Sequence, residues 1–102
     1  MNYTVIIPPA VDSQLLDAAL YISEDAPDRA LTWYDETIAK LHSLSDLPDT
    51  YPVSDRETAA AGYDIRKMTI GNYHAFYQVD HGAKRVEVLA FRHAARQPED
   101  FS

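Results

Sequence analysis

Tyr63-Asp64-Ile65-Arg66-Lys67-Met68-Thr69-Ile70-Gly71-Asn72-Tyr73-His74-Ala75-Phe76-Tyr77-Gln78-Val79-Asp80 is the stretch on which the fold turns. Its apolar residues repeat with period two on both sides of Gly71-Asn72, and glycine and asparagine tolerate the positive φ of a two-residue hairpin turn. A second turn, His81-Gly82-Ala83-Lys84, leads into Arg85-Val86-Glu87-Val88-Leu89-Ala90-Phe91-Arg92. The C-terminal half therefore reads as a three-stranded antiparallel meander. In its middle strand Tyr73, Ala75, Tyr77 and Val79 share one face and His74, Phe76, Gln78 and Asp80 the other. The first set is expected to face helices. The last strand is apolar on both faces, Val86, Val88 and Ala90 on one and Leu89 and Phe91 on the other, which marks a central strand and leaves its inward set open.

Upstream, Tyr3 to Ile7 is a β-branched and aromatic run stopped by Pro8-Pro9, which cannot donate to a ladder. It reads as a strand beside the last strand of the meander. Asp12 or Ser13 can cap a first helix with the stripe Leu15, Leu16, Ala19, Ile22. Asp25-Ala26-Pro27 interrupts it and opens a second helix, with Pro27 at the first helical position and the stripe Ala30 or Leu31, Tyr34, Ile38, Leu41, Leu44. So short a break forces an antiparallel helix hairpin. Leu47-Pro48 ends that helix, and residues 49–61 read as a loop wrapping the domain. The expected fold is α+β and two-layered: N-terminal strand, helix hairpin, three-stranded meander.

The chain has 102 residues, 46% apolar and 25% charged, which fits one globular domain over 1–102. It has no cysteine, which removes disulfides, a thiolate nucleophile and Cys-ligated metal from consideration. His42, His74, His81 and His93 have no metal-ligand spacing, and neither a Gly-rich phosphate loop nor a nucleophile elbow occurs, so no cofactor is expected. No apolar run approaches the roughly 20 residues of a membrane span and the N-terminus lacks the pattern of a signal peptide, so a cytoplasmic protein without membrane contact is expected. The net charge of −7 opposes phosphate binding, but it is unevenly spread: residues 1–60 carry −8 and residues 62–97 carry +3. An acidic helical half backed by a ribbon offering cations follows.

The element order, with Pro27-Asp28-Arg29-Ala30, Leu44-Ser45-Asp46-Leu47-Pro48, Ile65 to Tyr73, Phe76-Tyr77-Gln78-Val79-Asp80 and Val86 to Arg96, resembles the RelE/ParE superfamily of type II toxin–antitoxin toxins over nearly the whole chain. The resemblance implies a toxin silenced by a cognate antitoxin in a hetero-oligomer. It also implies one of two targets: mRNA cut on the ribosome by RelE-like members, or DNA gyrase inhibited by ParE-like members.

Cleavage by 2′-OH attack needs a proton acceptor, a proton donor and cations for the phosphorane charge. RelE-like chains place basic side chains on the open face of the meander and a tyrosine near the C-terminus. Arg66 keeps one basic position, Asp64 stands where a cation is expected, His74 replaces the arginine after the hairpin tyrosine, and Ala94 falls near the arginine beyond the last strand. No tyrosine follows Tyr77. His93 with Arg96 looks like the His-x-x-Arg ending of ParE-like and plasmid-stabilisation members. The ParE-like branch is therefore favoured: a toxin that binds a macromolecular target, gyrase first. A divergent mRNA interferase would use His93, Arg96, His74 and Arg66, and a relative that binds without toxicity is the third reading. Trp33, Arg66, Lys67, Phe76 and Arg92 are the expected partner contacts, and Tyr73, Phe76 and Phe91 are expected to be partly uncovered without the partner.

Overall fold

Prolines set the start of both long helices. The computed structural model describes residues 2–95, in the order β1 (Thr4–Ile6), α1 (Pro9–Asp25), α2 (Pro27–His42), a 3-10 turn (Ser43–Ser45), α3 (Asp55–Ala61), β2 (Arg66–Ile70), β3 (Tyr73–Asp80) and β4 (Arg85–His93). α1 begins at Pro9 rather than after a cap at Asp12 or Ser13: a proline in the first turn loses no hydrogen bond, and the Pro8 carbonyl accepts from the Val11 and Asp12 amides. α2 begins at Pro27 behind Ala26 as expected. Among the described residues no helix is long and apolar enough to cross a membrane.

The sheet order is β1-β4-β3-β2, with β1 parallel to β4 and the other pairs antiparallel. The inner stripe of α1 is Val11, Leu15 and Ala18, spaced by four and three residues, which leaves Leu16, expected inside, 47% exposed. α2 buries Ala30, Thr37 and Leu41, leaving Leu31 outside. Across the hairpin the Tyr34 hydroxyl donates to Asp12 Oδ1 at 2.5 Å. These faces pack on Met68, Ile70, Ala75, Tyr77, Val86, Val88 and Phe91 to form the main core.

A β-bulge explains why β4 is apolar on both faces. Phe76 pairs with Ala90 but Tyr77 pairs with Val88, so Leu89 is an extra residue and the side-chain parity of β4 flips there. Val86 and Val88 point at the helices before the bulge, Phe91 after it; Ala90 joins Ile65 and Phe76 in a second, smaller cluster on the opposite face.

That opposite face is not open along its length. The segment expected as a plain loop holds α3, seven residues long, closed by Gly62 in the left-handed region at φ 85°. Residues 48–54 run along the free edge of β2: Lys67 N–H donates to the Pro52 carbonyl, Ser54 N–H to the Ile65 carbonyl, and Val53 bridges Arg66. α3 then crosses onto the face away from the hairpin, so the two expected layers gain a partial third.

The buried Tyr77 hydroxyl donates to the Pro48 carbonyl at 2.7 Å and anchors that segment from inside. Burial pushes the phenol pKa up to about 12. The unfolded phenol ionises near 10, so between about pH 10 and 12 the folded state holds a proton the unfolded state has lost, and stability falls as pH rises through that window. The loss attributable to Tyr77 approaches about 3 kcal/mol at its upper end. We expect Tyr77→Phe to cost about 1 kcal/mol at pH 7 but to show a shallower alkaline decline in urea midpoints; parallel declines would contradict it.

Candidate functional site

The register divides the residues expected to act together. Arg66 stands opposite Tyr77 and therefore faces the helical layer, not the outer side. Its guanidinium donates to the Tyr51 carbonyl at 2.6 Å and pairs with Asp49 at 3.4 Å, clamping the 48–54 segment. The Asp49 carboxylate also meets His81 at 3.2 Å, and His81 Nδ1 lies 2.7 Å from the Tyr3 hydroxyl. This chain of contacts ties three loops together at one end of the sheet.

Lys67, His74, Phe76 and Arg92 do share the outer face, but α3 covers it in part. Arg92 pairs at 2.8 Å with Glu57 of α3, both side chains being nearly buried, and its guanidinium lies 4.7 Å above the Phe76 ring. The Ser54 hydroxyl donates to the other carboxylate oxygen of Glu57. Ser54-Asp55-Arg56-Glu57 has the spacing of a helix-start capping box, which was the signal for α3 in the sequence. Phe76, expected as a partner contact, is 2% exposed, because it packs with Ile65, Ala90 and Leu89 and lies beneath the Arg92 guanidinium. Arg92, one of the cations of this face, is thus paired within the chain.

His93 lies on the helical side, opposite Tyr73, and its Nδ1 accepts the Ala95 amide at 3.1 Å, holding the chain as it leaves β4. Its ring meets Tyr73 edge-on at 5.1 Å, Tyr73 stacks on Phe91 at 5.1 Å, and half-buried Trp33 packs on both. Trp33 is thus part of the helix–sheet seam, and Phe91, expected to be partly uncovered, is 2% exposed beneath it. Tyr73 remains half-buried. Arg96 lies outside the described residues. The quartet His93, Arg96, His74 and Arg66 is therefore not assembled in the described residues: His74 and His93 are on opposite faces, and Arg66 is about 13 Å along the sheet from His93.

What the structure does assemble is a seam. β1 pairs only with Arg85–Glu87, and Pro8-Pro9 then turn the chain into α1. Beyond Glu87, β4 has β3 on one side and, among the described residues, no strand on the other. Along this bare edge runs a groove of about 970 Å³, walled by Ala18 and Tyr21 of α1 on the helical side and by Ala61, Tyr63 and Leu89 on the other, with His93 at its end. Tyr21 and Tyr63 are 68% and 47% exposed, large aromatic surface for a small domain. A strand laid along the edge would alternate its side chains between the two walls. Among the described residues no group of three or more His, Cys, Asp or Glu side chains is placed to hold a metal ion.

The model of the ParE toxin of the type II toxin–antitoxin system parDE matches residues 5–98. The chain belongs to the ParE toxin family. This ParE-family chain shares its fold with the toxin–antitoxin complex RelBE2 of Mycobacterium tuberculosis (TM-score 0.60, 18% identity, 91% of this chain and 99% of that one). It is similar likewise to a chain of the archaeal RelE–RelB complex of Pyrococcus horikoshii (TM-score 0.62, 18% identity, 95% and 100%). A mutant E. coli toxin RelE in the free state is also similar (TM-score 0.58, 15% identity, 93% and 86%). No curated protein matches the sequence.

Burial, then the charges of Lys67 and Arg92, lower the His74 pKa from its ordinary 6.5. The unfolded state thus binds more protons just below pH 6.5, so stability is fully present above that value and is lost as pH falls through the depressed folded pKa. We expect His74→Gln to flatten the decline in urea midpoint between pH 7 and pH 5; a decline as steep as in the parent chain would contradict it.

Proposed function

We propose that this ParE-family toxin arrests growth by binding a macromolecular target, DNA gyrase being the target the ParE-like branch implies, and that an antitoxin silences it by laying an extended segment along the bare edge of β4. The observation carrying the second part is the edge itself: a strand edge with no strand beside it among the described residues, next to a groove with aromatic walls, is what an added strand uses, backbone for affinity and alternate side chains for specificity. Of the fold neighbours, RelBE2 of Mycobacterium tuberculosis is a toxin–antitoxin complex and the Pyrococcus horikoshii chain belongs to a RelE–RelB complex, which adds weight to such a partner here.

The division of the acid–base candidates between faces, and the Glu57–Arg92 pair on the outer face, favour a toxin that works by contact over a ribonuclease. An mRNA interferase would need its proton donor, acceptor and phosphate cations around one phosphodiester.

Three assays test the proposal. Purified toxin in excess is expected to inhibit gyrase supercoiling in vitro, and full supercoiling activity would remove gyrase as the target; codon-phased mRNA cuts in a translation reaction, lost in His93→Ala, would instead establish the interferase. The double variant Tyr21→Glu/Tyr63→Glu, altering two exposed groove walls, is expected to lose about a hundredfold in affinity for the cognate antitoxin while still arresting growth. Unchanged neutralisation would place the antitoxin elsewhere.

A further inference from the structure

The edge of β4 is not entirely bare in the free chain. The amide of Phe91 points away from β3 into the groove, and the Gln14 side chain accepts from it through Oε1 at 2.8 Å, an ordinary amide–carbonyl bond. The orientation of the Gln14 amide follows from this contact, since an N–H can be met only by its oxygen. Gln14 is exposed on α1, one turn before Ala18 and two before Tyr21 on the groove-lining side of the helix. A side-chain carbonyl thus stands where the backbone carbonyl of an added strand would stand. Open edges invite pairing with any strand, and proteins blunt them with local devices.

We infer that Gln14 is a displaceable plug: it satisfies the Phe91 N–H while the toxin is free, discourages pairing of β4 edges between copies, and must swing away before the antitoxin's strand can dock. This rests on the reading of the β4 groove as the antitoxin site. The occupant is an extended antitoxin segment, apolar on both faces, because the groove has an apolar wall on each side of the sheet, Ala18 with Tyr21 and Ala61 with Leu89. The side chain competes for the same N–H, so only the unplugged fraction of the toxin is ready to bind, and the apparent dissociation constant is raised by that fraction.

The test compares Gln14→Leu, which keeps the size and removes the acceptor, Gln14→Ala, and Gln14→Glu, whose carboxylate accepts more strongly. Each is titrated with the cognate antitoxin, with Tyr21→Glu/Tyr63→Glu alongside. The expected result is a dissociation constant about fivefold lower for Leu and Ala, carried by faster association, and one several-fold higher for Glu. Weaker or unchanged binding of Leu and Ala, while Tyr21→Glu/Tyr63→Glu still weakens it about a hundredfold, would overturn the plug and leave the groove standing. If the aromatic variant also binds normally, the groove reading itself fails. Dimerisation of Gln14→Ala without a gain in antitoxin affinity would overturn the inference by making a second copy of the chain the occupant.

Discussion

A three-residue strand followed, after Ile7, by two prolines is the constraint from which the rest of the molecule follows. β1 pairs with Arg85–Glu87 and can go no further, because Pro8 and Pro9 have no N–H to give the ladder and Pro9 already belongs to the first turn of α1. The helix that leaves at this point crosses the sheet and buries Val11, Leu15 and Ala18 in the main core. Among the described residues β4, the longest strand of the sheet, is central over its first third and has no strand beside that edge over the remainder. The same two residues therefore start the helical layer and create the seam where a partner can add backbone hydrogen bonds.

The electrostatic division between the halves takes a different form from the one the charge count suggested. The outer side of the meander does carry Lys67, His74 and Arg92, but Glu57 of α3 meets Arg92 in a nearly buried pair and Phe76 lies beneath. Such a pair contributes little net stability, yet removing one partner would leave a charge stranded away from water. The cation is consequently committed to holding α3 on the sheet. Arg66 is committed likewise, to carbonyls of the segment along β2. Two of the cations that a count assigns to a ligand-binding face, Arg66 and Arg92, are here fastenings of the chain's own cover.

The element order, the helix hairpin, Pro27 at the head of α2 and the Gly71-Asn72 turn were legible because each depends on local signals: proline and glycine geometry, and period two against three to four. The inward face of β3 was legible for the same reason. What escaped were features set by contacts distant in sequence. The inward set of β4 depends on a one-residue bulge opposite Phe76/Tyr77, which periodicity alone cannot locate. The side on which Arg66 lies depends on its register against Tyr77. α3 was signalled by Ser54-Asp55-Arg56-Glu57 and by Gly62, but a seven-residue helix has too few turns to show a stripe, and the buried role of Glu57 appears only with its partner. The groove is a product of where β1 stops, and Gln14 gave no sign of facing Phe91 across 77 positions of sequence.

Hydrogen–deuterium exchange across the whole chain, with and without saturating cognate antitoxin, tests the central claim most directly. The account predicts that new backbone protection concentrates in residues 88–93, with little change in the β2–β3 hairpin turn or in the acidic tip between α1 and α2. Protection gained over Lys67, His74 and α3 instead, with the edge of β4 exchanging as in the free toxin, would contradict it.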